Sequence, residues 1–493
     1  MLKSFLKSTF ACVLSFGPMC ASAADALNYW QPVNGAHDGA YADAAHWSLG
    51  TVPNLGARAY FTCDASYTVT LPTGDFTNNA ALKPAAFPGQ TVTLDGHATT
   101  LVRAYDATGR YPSETFGLYY GGTAYAFFNF EKYGATPDVA KTADFAISNF
   151  VYRVSSSGEN RVRGAFVKGG YNFFDPEGTT WTSAPSPYVT FFGNSGSPLV
   201  EAEVVLGEET SFRFPTVRIQ GNALTNRLVF AGGAHTFAGF AYLPYTQGGT
   251  ALNETDAATD LILQDGASVE FLKGTMVGVS DMTKGVNRRW NVTVEPGARL
   301  RHGGYVSHYH GQVTVDVAGE WTCDDNILFN CGNNASSAHV IVRDGGLLKT
   351  TATSASFRMG VTGCPDAPSS LTVTNATVLN AAQMTVGAAS FTDARLVNDG
   401  QFDVGYAPTR THATFTGCVV TNNANFTAGA QGPAQVDFRG TAAHFTGAMY
   451  IGGRETVAAS AATATVSVAG GTFSLSGDAA QIFVGYPANR TGI

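Results

Sequence analysis

Three stretches decide the fold: LILQDGASVEF (261–271), VTVEPGARLRH (292–302) and VTVDVAGEWTC (313–323). Each opens on a short run that alternates apolar and polar residues, bends at a glycine-bearing turn, and resumes alternation. Period-two alternation over three to five residues is the signature of a strand with one buried face. The pattern returns as VIVRDGGLLKT (340–350), LTVTNATVLNA (371–381) and VSVAGGTFSLS (466–476). Looser copies are LVFAGGAHTFAG (228–239), ARLVNDGQFDVG (394–405) and VDFRGTAAHFTG (436–447), with VTLDGHATTLV (92–102) much earlier. A second landmark is an apolar residue followed by glycine: Met359-Gly360, Val386-Gly387, Val404-Gly405, Ile451-Gly452 and Val484-Gly485.

Successive landmarks lie about 20–30 residues apart, the spacing of stacked-repeat architectures. A strand this short cannot bury its apolar face alone. Coils stacked about 4.8 Å apart can, because equivalent residues then form continuous ladders. Gly, Asn and Asp at the bends supply the left-handed or tight conformations that corners require. A propeller calls for a steadier period near 40, and immunoglobulin-like domains repeat near 100. The sequence therefore predicts an all-β chain, a right-handed parallel β-helix (β-solenoid) with an N-terminal cap module. Its inward ladders include Val315 and Val342.

The rest of the chain divides around this core. Residues 1–23 read as a signal peptide: Lys3 and Lys7, a small and apolar run from Ser8 to Met19, then Ala21-Ser22-Ala23 as the cleavage pattern. Residues 24–110 form the cap module and first strands, 111–200 an aromatic-rich irregular β segment, and 201–493 the β-helix repeats. The chain closes on VGYPANRTGI, a corner phrase without a polar cap, which reads as truncation of the solenoid at the C-terminus. Charged residues are only 13% of the 493, and the net charge of −8 comes without a basic cluster. That composition speaks against nucleic acid as a partner. No later stretch is long and apolar enough for a membrane span. Cys63, Cys323, Cys331, Cys364 and Cys418 remain after cleavage. An odd, scattered set with no CxxC is neither a disulfide framework nor a zinc site, although Cys323 and Cys331 are a conceivable bridge.

The segment from Trp30 to Phe61 carries Asp43-Ala44-Ala45-His46-Trp47, then Gly50-Thr51-Val52-Pro53-Asn54 and Ala59-Tyr60-Phe61. It resembles the opening module of large exported bacterial repeat proteins, including autotransporter-type passengers. The turns that follow resemble the parallel β-helix of the pectin-lyase-like superfamily. One departure is that Gly56 is followed by Ala57-Arg58, where such modules place an aspartate. The resemblance implies a surface or secreted scaffold, not in itself an enzyme. Within the module Trp47 is expected to plug the open end of the first coil.

Candidate chemistry centres on RHGGYVSHYHG (301–311) and the CDDN that follows at Cys323. His308 and His310 are two apart and so share a strand face. If Gly297 and Gly319 are equivalent corners, a 22-residue coil stacks His302 near Asp324; aligning Leu300 with Trp321 gives 21 residues and sends the side chains the other way. His302, His308, His310, Asp324 and Asp325 gathered on one outer face would suit acid–base work on a sugar or a metal. The alternative is a set of solvent-facing polar residues. Tyr119, Tyr120 and Trp181, from the aromatic zone, would suit stacking on sugar rings.

The reading is an exported, extracellular or cell-surface scaffold of adhesin type, non-catalytic and monomeric. It has no cofactor or metal, and a polysaccharide or a host or matrix surface is its partner. The alternatives are a uronate-polysaccharide lyase using calcium, a glycoside hydrolase, and a carbohydrate-binding surface protein.

Overall fold

A computed structural model describes residues 26–103 except short segments, strand backbones only between 116 and 191, and 199–243 except short segments. Beyond these it describes 258–277, 288–308, 311–329, 336–359, 369–405, 411–430, 432–452, 463–484 and 491–492. Tyr119 and Tyr120 have described backbone but no described side chain. Trp181, His310, Cys331, Cys364 and the segment 1–23 lie outside the described residues.

The alternating stretches become coils of three strands each. Ala258–Leu263, Ser268–Phe271 and Thr275–Val277 make one coil; Arg289–Val294, Arg299–His302 and Val306–His308 make the next; Gln312–Val317, Glu320–Cys323 and Ile327–Phe329 make a third. Each strand pairs in parallel with its counterpart one coil on. Three ladders result, and the one built from the third strands holds 17 strands. The chain is a parallel β-helix whose only described helical piece is a 3-10 turn, Ala44–His46.

Alternation puts every second side chain inside. Leu261, Val292, Val315, Val340 and Leu371 form one ladder; Val317, Val342, Val373, Phe391 and Phe415 form the next, and all are buried. Phe391, Phe415 and Phe438 stack with centroids 4.7 and 4.8 Å apart, the coil pitch itself. The corner after the first strand is left-handed: Gly266, Gly297, Gly345 and Gly417 have φ between 64° and 88°, while Asp344, Asn375 and Asp393 fill the same role at 45–54°. That is why DG, NA and DA are interchangeable in the repeat. The apolar-glycine landmark is the third corner. Gly405 and Gly452 have φ of 87° and 94°, and Gly429, after Ala428, takes the same place at 81°. A Cβ on Gly405 or Gly429 would meet the alanine of the next coil at 2.9 Å.

One coil runs backwards. Thr123–Asn129, Ala143–Ile147 and Val151–Ser155 lie antiparallel to both neighbours in the three ladders. Tyr120 and Thr123 pair at the first reversal, and Val151–Ser155 returns against Arg161–Phe166 at the second. From Arg161 onward the parallel stack resumes.

The N-terminal end is closed by aromatic packing. Trp47 is fully buried, donates from its indole to the Tyr41 carbonyl at 2.8 Å, and sits edge-on to Trp30, Tyr41 and Phe61 at 5.1–5.4 Å. His46 stacks flat on Trp30 at 4.4 Å, and Gly39 lies so close to the His46 ring that no Cβ would fit. Asp43 caps the 3-10 turn by accepting from the Ala45 amide. Buried Asn28 accepts from Ser48 and Leu49 and donates to Thr51, tying the first strand to the loop.

A polar column runs through the interior beside the apolar ladders. Thr350 donates to Asn380 at 2.7 Å, Asn380 to Asn398 at 2.7 Å, and Asn398 to Asn422 at 2.8 Å. Each asparagine also donates to the carbonyl two residues on, at Ala382, Gly400 and Ala424. Coil length along this column is 30, 18 and then 24 residues, so length is absorbed elsewhere while the asparagine corner stays in register. Asn398→Ala strips Asn380 and Asn422 of a buried partner each. The expected cost is roughly 2–4 kcal/mol, read from the urea midpoint at constant m.

Candidate functional site

The strand pairing settles the coil around Arg299. Leu300 pairs with Trp321 and His302 with Cys323, so the 21-residue alignment holds and the 22-residue one does not. His302 lies two residues from inward Leu300 and shares its face, so it points into the core and stacks against Cys323 rather than Asp324. Its ring is 5% exposed, stacks on Phe271 at 5.2 Å, and accepts at Nδ1 from the Trp321 indole at 3.0 Å. His308 is likewise buried, beside Phe329. Cys323 is a buried free thiol whose pKa burial raises to about 12. The expectation of histidines and carboxylates on one outer face is corrected accordingly: both described histidines of the stretch are interior residues.

Asp324 follows the strand and faces out. Its Oδ2 accepts from Arg301 Nε and Nη2 at 2.9 and 2.7 Å, and its Oδ1 from the Thr351 hydroxyl at 2.7 Å. Arg301 also reaches Glu270 on the preceding coil. Partial burial raises the Asp324 carboxyl, but Thr351 and Arg301 outweigh it and hold it below the usual range. Asp325 turns away and accepts from the Asn326 backbone and side chain at 2.7 Å. The two aspartates do not converge on a common atom, so they lack the facing geometry of a hydrolytic pair. Among the described residues no group of three or more His, Cys, Asp or Glu is placed to hold a metal ion.

Burial pushes the His302 pKa down to about 3, and that of His235 down to about 4 despite its bond to the Gly232 carbonyl. In the unfolded chain both titrate near 6.5. From pH 6.5 down to about 3 the unfolded state therefore binds protons that folded His302 refuses, and stability falls as the pH falls. The expected slope is about 1.4 kcal/mol per pH unit for this one residue, read from urea midpoints between pH 6.5 and 4. His302→Phe should make the measured slope shallower, leaving the part that His235 contributes.

The outward side of the first strands carries a groove of about 680 Å³. Glu203, Arg227, Asp260, Asn291 and Thr314 form one column of its lining, and Val205, Val229, Ile262, Thr293 and Asp316 the other. Arg227 donates to Glu203 at 3.0 Å and Asn291 to Asp260 at 2.8 Å. Arg343 clamps Asp316 at 2.8 and 3.1 Å. With Glu295, four carboxylates face a single arginine in the lining. This field disfavours a polyanion.

A second outward cluster went unnoticed in the sequence. Asp437 is 2% exposed and accepts from Ser467 at 2.5 Å and from His412, Gln435 and Arg439 at 3.1 Å. Burial raises its carboxyl, yet the bonds from Ser467, His412 and Gln435 prevail and leave it at about 2. The Ser467 hydroxyl is bonded to the carboxylate and not to the imidazole, so the three are not a nucleophile–base relay. His339 Nδ1 does meet Ser370 Oγ, at 2.8 Å, but no carboxylate among the described residues orients that ring. Alternation marked Asp437 as outward in VDFRG; only the stacking of three coils brings its partners together. No protein-family model, no curated protein and no solved structure matches the chain.

Proposed function

We propose that the chain is an exported, non-catalytic scaffold of the bacterial cell surface or surrounding matrix, adhesin-like in use and akin to autotransporter passengers. The observation that supports this most is the role of the reactive groups around Arg299–Phe329. His302, His308 and Cys323 are part of the interior, and Asp324 is neutralised by Arg301 and fixed by Thr351. A lyase of pectin-lyase-like type needs an unengaged basic residue beside a calcium-loaded carboxylate site. Arg301 is already shared between Asp324 and Glu270. The test is incubation with pectic and other acidic polysaccharides plus calcium, monitored for unsaturated products. No product is expected; activity that disappears in Asp324→Asn would overturn the scaffold reading.

The groove beside Asp260 favours a second reading, a carbohydrate-binding surface. Its polar lining and acidic excess suit neutral or cationic sugars better than uronates. A glycan screen at two salt concentrations distinguishes the two. Binding reduced by Asn291→Ala supports the groove, and a blank screen leaves the scaffold alone.

A further inference from the structure

Among the described residues the interior holds further polar groups that the asparagine column does not explain, and two of them meet at a cavity. A cavity of about 20 Å³ lies between coils, walled by Leu261, Phe271, Val292, Val313 and Trp321 among others, and also by Thr275, Trp290 and His302. The Trp290 indole N–H and the Thr275 hydroxyl are buried, at 1% and 0% exposure, and neither has a hydrogen-bond partner. His302 accepts at Nδ1 from Trp321, so the neutral ring carries its proton on Nε2. An indole donor deep in a core is ordinarily matched, since an unmatched one costs about 1–3 kcal/mol. The space is large enough for one water molecule.

We propose that this cavity is a binding site for a single structural water, which accepts from Trp290 and bonds the Thr275 hydroxyl. The site joins two coils, because Thr275 belongs to the coil of Ala258–Val277 and Trp290 to the next. It stands where the interior ladder changes from Phe237 and Phe271 to His302, Cys323 and Thr350.

Two experiments on the full chain decide it. A crystal structure near 1.5 Å should show a solvent peak within about 3.2 Å of both Trp290 Nε1 and Thr275 Oγ1. The same cavity with no peak overturns the proposal. Xenon pressurisation should leave the wild-type cavity unlabelled, because a bonded water holds it, whereas Thr275→Val should admit xenon. Xenon uptake by the wild type would mean a dry cavity and refute the water. If Thr275→Val does not fold, the wild-type density and xenon maps are decisive by themselves.

Discussion

Trp47→Ala is expected to lower stability by about 3–5 kcal/mol, the range for deleting a large buried aromatic, and to drive the purified chain toward aggregates. The reason is positional. Trp47 is in contact with Trp30, Tyr41 and Phe61 at once, and its indole holds the Tyr41 carbonyl. Removing it leaves a hole in the layer that packs on the first coil and loosens the cover of the edge strand Ala26–Tyr29, which pairs on one side with Ala57–Phe61. Thermal melting with size-exclusion chromatography reads both effects. A soluble, monodisperse variant within 1 kcal/mol of wild type would mean that the aromatic layer is not the closure.

Val342→Asn is expected to cost roughly 3–5 kcal/mol, adding an unpartnered buried amide to a lost apolar contact. Val342 is fully buried between Val317 and Val373. A solenoid is held by nearest-neighbour contacts, so damage spreads along the axis and fades with distance. Hydrogen exchange should show lost protection in Gln312–Val317 and Ser369–Thr374, with the cap around Trp47 keeping its own. Uniform loss over the whole chain would argue for a single cooperative core. No change near Val342 would place it outside the ladder.

The distinction between Val342 and His302 shows how far alternation alone carries. In VIVR the neighbour Ile341 is as apolar as Val342, and it is the alternation down to polar Arg343 that marks Val342 as inward. His302 is two residues from Leu300 and so shares its inward face by the same rule; its polarity is what makes it read as outward. What the sequence does not supply is the partner, which the pairing of Leu300 with Trp321 sets as Cys323. The asparagine column was legible in principle: VLN, LVN and VTN close the second strand of three successive repeats. It reads as surface polarity until the ladder shows Asn380, Asn398 and Asn422 bonded to one another. The Asp437 cluster had no such signal, because His412, Asp437 and Ser467 lie on three different coils.

From the sequence alone came the strand period, the corner residues and the parallel stack. All of these follow from short-range chemistry: alternation and the left-handed preference of Gly, Asn and Asp. The register of individual coils, the backward coil at Thr123–Ser155, and the fate of each reactive side chain were decided only by tertiary structure. Along the asparagine column alone coil length varies from 18 to 30 residues, so which residues meet across 4.8 Å depends on how each third corner is accommodated. Alternation fixes the face a side chain takes, and coil length fixes what it meets there.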